Sequence, residues 1–205
     1  MVRRTKDEAE KTRDAILDAA EKVFFKNGVT RTSLQQIALA AGVTRGAVYW
    51  HFKDKMALCE AMMQRVFLPY EDIMKCLAQN VTETPLDDLC AANCDTLTLM
   101  AKDKRRQRIM TILTFRCEYL EDMSAVIERR NQCKMQMRDT YVIMFERAQK
   151  LKQLSTVWTP EIAATTLTSL MSGLIMGWLE GRKSFDLEES GIACIRTFFT
   201  QLRSV

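Results

Sequence analysis

The sequence predicts an all-α protein of about nine helices. Three observations carry this. Apolar residues recur at three- and four-residue spacing along most of the 205 residues, which lines one face of a helix. Only 3 prolines and 7 glycines occur, most of them at the ends of those patterns. No alternating strand pattern with hairpin turns is evident.

The elements follow in order. Ile16, Leu17, Ala20, Val23 and Phe24 form a stripe that predicts a first helix from about 10 to 26, stopped at Asn27-Gly28. Two short helices follow at about 33–40 and 44–51. Thr32 and Ser33 can each cap the first of them, with Gln35 and Gln36 as capping-box partners. Gly42 suits a left-handed turn, and Thr44 caps the next helix. A fourth helix starts near Asp54 and runs towards Gln79, joining an N-terminal domain (1–55) to a larger body (56–205). Thr84-Pro85 restarts the chain as a cap with proline at the first helical position, and that helix runs to about 101. The charged segment from Lys102 to Arg108 reads as a solvated break before a sixth helix. A long seventh helix covers about 122–152. Thr159-Pro160 starts the eighth, and Asp186 with Glu189 starts the ninth, which ends near Arg203.

Bulk properties exclude several classes. There is no apolar run near 18 residues, which predicts no membrane span, and the charged N-terminus is unlike a secretory signal. Seven cysteines, an odd number without a C-x-x-C spacing, fit a reducing cytoplasm and no metal site. His51 is the single histidine, so a histidine-dependent hydrolase would have to use it. No Walker loop or G-x-G-x-x-G is present. An enzyme is therefore not expected, nor is a cofactor.

Charge is unevenly spread. Residues 1–55 hold 11 of the 30 Lys/Arg and 7 of the 26 Asp/Glu, leaving 19 of each for the remainder. The whole net charge of +4 thus lies in the N-terminal domain, which favours contact with phosphates. Within it, residues 29–55 encode a helix, a turn and a short helix rich in exposed-type polar and aromatic residues, the geometry that enters a DNA major groove. Arg45 and Tyr49, four apart, share its outer face, while Val43, Ala47, Val48 and Phe52 can face inward.

The string Ile37-Ala38, Ala41-Gly42-Val43-Thr44-Arg45-Gly46-Ala47-Val48-Tyr49-Trp50-His51-Phe52 and Lys53-Asp54-Lys55 resembles the TetR family of helix-turn-helix repressors. Within it the chain is similar to the AcrR and TtgR group, which represses multidrug efflux pumps; Val2-Arg3-Arg4-Thr5-Lys6 and Arg116-Cys117-Glu118-Tyr119 add to that likeness. The resemblance implies a ligand-responsive homodimer on a near-palindromic operator. Arg45 is the candidate for base contact through guanine O6 and N7. Thr44, Tyr49, Trp50 and His51 are candidates for backbone contact, with Trp50 equally suited to packing. Gly46 lets the backbone approach DNA, and Lys55 can meet a phosphate beside a helix N-terminus. Thr32 and Ser33 can reach a phosphate or serve only as caps, and Arg3, Arg4 and Lys6 can form a basic arm.

In the body, the resemblance implies an inducer pocket at Val66, Asn93, Thr96, Met100, Met110, Thr114, Met137, Tyr141, Thr168 and Met171, apolar with a few hydroxyl and amide groups. Thirteen methionines suit an adaptable apolar site. Phe67 and Ala78 stand where relatives carry an acidic residue, which argues against a strong preference for cationic drugs; Glu118 is the remaining acidic candidate. Gly173, Gly177 and Gly181 on the eighth helix and Ile192, Ile195, Phe199 and Leu202 on the ninth form stripes that suit a four-helix dimer interface or an intramolecular core. The resemblance favours the dimer. Cys90 and Cys94, four apart, suit a thiol or soft-metal sensor, or simple burial. A structural or cell-division DNA-binding factor without inducer is a further alternative.

Overall fold

The computed structural model describes residues 6–117, 124–181 and 183–204. Among them it is all-helical, with one isolated bridge between Leu154 and Arg203. The helices are α1 (Lys6–Asn27), α2 (Leu34–Ala41), α3 (Arg45–His51), α4 (Lys55–Gln79), α5 (Pro85–Lys102), α6 (Lys104–Thr111), α7 (Ser124–Lys150), α8 (Pro160–Glu180) and α9 (Ile192–Leu202). Two π-helical turns, Ile112–Arg116 and Leu187–Gly191, follow α6 and precede α9. The chain divides into two compact units, Met1–Val66 with Arg108–Arg129, and Phe67–Gln107 with Arg130–Val205. The boundary falls inside α4.

In the first unit, Ile16, Leu17, Ala20 and Phe24 of α1, Ile37 and Ala38 of α2, Val48 of α3 and Leu58 of α4 make up the core. Arg65 of α4 ties α1 by its guanidinium to Asp14 (2.5 Å) and Asp18 (2.7 Å). Arg108 reaches Glu21 at 2.5 Å, and Glu21 is almost wholly buried. Such a pair stabilises little in net terms, yet removing one partner leaves a buried charge and costs about 3–5 kcal/mol.

In the second unit, Tyr141, Met144, Phe145 and Ala148 of α7 are buried, as are Leu86, Leu89, Leu97, Leu167, Ile195 and Phe199. Phe145 stacks on Phe199 with ring centroids 6.3 Å apart. The Arg147 guanidinium donates to the carbonyls of Leu77, Ala78 and Asn80, giving the last turn of α4 the cation its exposed carbonyls favour.

Several expectations change. Thr84 has no capping bond; its hydroxyl turns to Asp88 Oδ1, and Pro85 alone marks the start of α5. The charged break is one residue, Asp103, whose Oδ1 accepts from the Arg105 and Arg106 amides, while Lys104–Arg108 are already helix α6. Contrary to the expectation of no membrane-length stretch, α8 is long and apolar enough to cross one, with mean hydropathy 1.5 over 18 residues. Core helices of soluble proteins pass the same test, and Ala163, Ala164, Leu167, Met171 and Trp178 of α8 lie in the core.

Candidate nucleic-acid interface

Local chemistry builds the helix-turn-helix. The Ser33 hydroxyl accepts from the Gln36 amide while Gln36 Oε1 accepts from the Ser33 amide, a complete capping box. Gly42 closes α2 at φ +67°, a conformation that costs a side-chain-bearing residue about 1 kcal/mol or more. Thr44 then caps α3, its hydroxyl accepting from the Ala47 amide. The α3 helix has a single buried residue, Val48. A helix of seven residues that buries one side chain is held by its caps and neighbours, and Arg45, Tyr49 and Trp50 on it are exposed.

Those side chains are ordered. The Arg45 guanidinium lies over the Tyr49 ring at 5.2 Å, and its Nη2 donates to the Tyr49 hydroxyl at 3.1 Å. This stack fixes the fork of a long side chain at an exposed site, where cation–π attraction is worth about 0.5–1 kcal/mol. Trp50 is 73% exposed and meets the His51 ring edge-on at 4.4 Å. A Cβ added at Gly46 would meet only Thr44 Oγ1, at 3.9 Å, so no intrachain packing requires glycine there.

An open concavity of about 460 Å³ gathers Thr32, Ser33, Leu34, Gln35, Arg45, Tyr49, Lys53, Asp54 and Lys55. Its charge is predominantly positive, and Asp54 spends a carboxylate oxygen on the Ala57 amide at the start of α4. Lys53 is exposed here, a cation outside the expected contact set although it belongs to the motif itself.

Two expected contacts have structural duties. Thr32 is buried and its hydroxyl donates to Gly28 O at 2.7 Å; it braces the loop instead of capping or facing outward. The Lys55 ammonium donates to Val29 O (2.9 Å) and Thr30 O (3.0 Å), leaving one proton for a phosphate. Of the basic arm, Lys6 begins α1, while Arg3 and Arg4 lie outside the described residues, as do Glu118 and Tyr119.

The expected inducer positions fall in both units. In the first, Val66 and Met110 are buried and Thr114 is half-buried. In the second, Asn93, Met100, Tyr141 and Met171 are buried, and Thr96, Met137 and Thr168 are half-buried. Tyr141 donates its hydroxyl proton to Asn93 Oδ1 at 2.6 Å, so Tyr70 must be the donor in the 2.9 Å bond between the two phenols. Asn93 donates in turn to Leu89 O. Burial pushes the Tyr70 phenol up to about 12 and raises Tyr141 too, so both phenols keep their protons at physiological pH. Tyr70 was not legible as a site residue, because its partners are 71 positions away. The Thr96 and Thr168 hydroxyls donate back to their own helices.

The expected dimer stripes are corrected in part. Ile195, Phe199 and Leu202 are wholly buried in the chain's own core, and Ile192 is half-buried. Gly181 lies past the end of α8, where a Cβ would stand 2.9 Å from both Gly177 O and Ser184 Oγ; it serves a close turn. Gly173 and Gly177 do face open space. The exposed stripe of α8 is Ile162, Thr165, Ser169, Gly173 and Gly177, and that of α9 includes Ala193, Cys194 and Thr197. Burial, followed by the neighbouring Cys94, pushes the Cys90 thiol up to about 11. No group of three or more metal-ligating side chains occurs among the described residues.

Comparison with known proteins identifies the family. Residues 16–62 match the tetR family of bacterial regulatory proteins, and residues 84–203 match the C-terminal region of MAATS-type transcriptional repressors. The chain is 38% identical to the transcriptional repressor BepR of Brucella suis, over 99% of this chain and 97% of the relative. It is 34% identical to the regulator TtgR of Pseudomonas putida, over 91% and 89%. Among solved structures it is similar to NalD, the secondary repressor of the MexAB-OprM multidrug efflux pump in Pseudomonas aeruginosa (TM-score 0.86, 37% identity, 97% and 98% covered). It is also similar to SmeT, solved as a complex with triclosan (TM-score 0.85, 31% identity, 95% and 92% covered). The chain therefore belongs to the tetR family of transcriptional regulators, a family of regulators rather than enzymes, as the motif at residues 37–55 implied.

Proposed function

We propose that this tetR-family chain is a cytoplasmic homodimeric repressor that binds a near-palindromic operator, controls a multidrug efflux operon, and is released by hydrophobic or aromatic small molecules. The observation that carries the DNA reading is the exposed α3, with Arg45 held over Tyr49 beside a positive concavity. Arg45 reads a guanine, while Ser33, Thr44, Tyr49, His51, Lys53 and the free proton of Lys55 take phosphates and sugars, and Gly46 admits the backbone. Trp50 offers an apolar face to a thymine methyl or a sugar. Thr32 acts by holding the loop.

One seven-residue helix reads too few bases for useful specificity, so two copies are needed, with recognition helices about 34–36 Å apart. The small-residue stripe of α8 and the exposed side of α9 suit the contact between copies. Residues 1–55 serve DNA binding, and residues 56–205 serve ligand binding and dimerisation.

Efflux control rests on NalD and the relatives, and small-molecule release on the likeness to SmeT, whose complex holds triclosan. A ligand would lie among Asn93, Thr96, Met100, Met137, Tyr141, Thr168 and Met171 of the second unit. It would compete for the Tyr70–Tyr141–Asn93 bonds and move α4, which runs unbroken from the first unit into the second. It must bind the wrongly spaced state better than the DNA-competent one, since equal affinity shifts nothing.

The test is fluorescence anisotropy on duplex DNA from upstream of the chain's own coding region, titrated with triclosan and a panel of hydrophobic antimicrobials and flavonoid-like compounds. Tight, sequence-specific binding relieved by several of them is expected. Binding that none relieves would remove the multidrug reading and leave DNA recognition standing.

A further inference from the structure

The chain of bonds from Tyr70 through Tyr141 to Asn93 has a direction, and the direction fixes what can replace its outer member. The Leu89 carbonyl can only accept, so it takes a proton from Asn93 Nδ2 at 2.8 Å. That turns Asn93 Oδ1 towards Tyr141. A carboxamide oxygen can only accept, so the Tyr141 hydroxyl spends its single proton there, at 2.6 Å. The Tyr141 oxygen is left with lone pairs alone, and the 2.9 Å bond to Tyr70 uses the Tyr70 proton. A backbone carbonyl at the end of the chain thus sets every proton in it.

Access runs the other way. Tyr141 and Asn93 are wholly buried, whereas Tyr70 is half-buried and forms the outer end. All three, with Leu89, belong to the second unit. Displacing the Tyr70 hydroxyl therefore leaves one specific demand: a buried oxygen that has given up its proton and must be offered another. We propose that the inducer meets this demand with a hydroxyl of its own, so that Tyr141 selects phenols and alcohols over ligands that only accept hydrogen bonds, and Tyr70 is the residue they displace. This deepens the inducer reading and rests on it.

The other hydroxyls reinforce the selection. Thr96 spends its proton on Ala92 O and Thr168 on Ala164 O, both at 2.8 Å. Each hydroxyl among the expected positions of the second unit therefore offers a ligand lone pairs only. An ether, a ketone or a carboxylate brings lone pairs to lone pairs and leaves the Tyr141 oxygen unmet in the interior. A hydroxyl restores the bond that Tyr70 gives up. Its arrival frees Tyr70 within α4, while the last turn of that helix keeps its separate tie from Arg147 to the carbonyls of Leu77, Ala78 and Asn80. Selectivity and release of α4 at Tyr70 are thus one event: the ligand that satisfies Tyr141 is the one that lets Tyr70 go.

The test is calorimetric titration of the full chain, without DNA, against two matched pairs in slightly acidic buffer that keeps the phenols protonated. The pairs are triclosan with its methyl ether, and 4-phenylphenol with 4-methoxybiphenyl. Each phenol should bind at least about tenfold more tightly than its ether, which leaves the buried acceptor unmet. Tyr141→Phe should bring that ratio close to one. Tyr70→Phe should widen it about threefold, because the phenol no longer competes with Tyr70 while the ether gains nothing. This second variant decides the matter if Tyr141→Phe fails to fold. A ratio near one in the unaltered chain, a ratio that survives Tyr141→Phe, or one that falls in Tyr70→Phe overturns the inference. Failure of all four compounds to bind overturns the inducer positions and the donor preference together. A clear preference with no release of the upstream duplex in anisotropy defeats the release reading alone and leaves the donor preference standing.

Discussion

The recognition helix α3 and the terminal helix α9 both carry side chains at three- and four-residue spacing, yet they use them in opposite ways. In α3 the pair Arg45 and Tyr49 points outward and is ordered by its own stack. In α9 the stripe Ile195, Phe199 and Leu202 points inward and disappears into the core of its own unit. The difference lies in chemistry. A guanidinium and a phenol resist burial without partners, so their exposure can be argued locally. An apolar stripe demands a cover and says nothing about whose surface supplies it.

Four substitutions test this contrast. Phe199→Ala should have the largest effect, lowering chain stability by about 3–5 kcal/mol in chemical denaturation, because it empties a site against Phe145. If Phe199 instead lay between copies, the variant would unfold normally and only dissociate more readily. Arg45→Ala should cost about 1–3 kcal/mol in operator affinity and relax base preference, with the melting temperature almost unchanged. An unaltered preference in a randomised-site selection would remove Arg45 as a base reader. Ser33→Ala should lower stability by about 1 kcal/mol through loss of the capping box. Gly177→Ala should be smallest: a gain of up to about 1 kcal/mol in helix propensity for a lone chain, offset by weaker dimerisation if a copy approaches there. Sedimentation against concentration separates the two, and an undiminished dimer would clear α8 of that contact.

The helix-turn-helix was legible to within a residue or two because each boundary has its own local signal: the Ser33–Gln36 box, the left-handed Gly42 and the Thr44 cap. Thr32 and Lys55 were legible as residues but not as roles. Which way Thr32 turns depends on Gly28 O, and the duty of Lys55 depends on carbonyls 25 and 26 positions earlier. Lys53 could have been included on charge and position alone. The glycine series on α8 was only partly informative, since Gly173 and Gly177 are open while Gly181 answers to Ser184 across a turn.

By itself the sequence determined the helical class, the capped boundaries of α2 and α3, the excess of basic residues in 1–55 and the family motif, because these rest on residues a few positions apart. Tertiary structure decided that α9 spends its stripe within one chain, and that Tyr70 joins Tyr141 and Asn93. Those pairings span dozens of residues, and no local periodicity specifies which of several compatible surfaces will close on which.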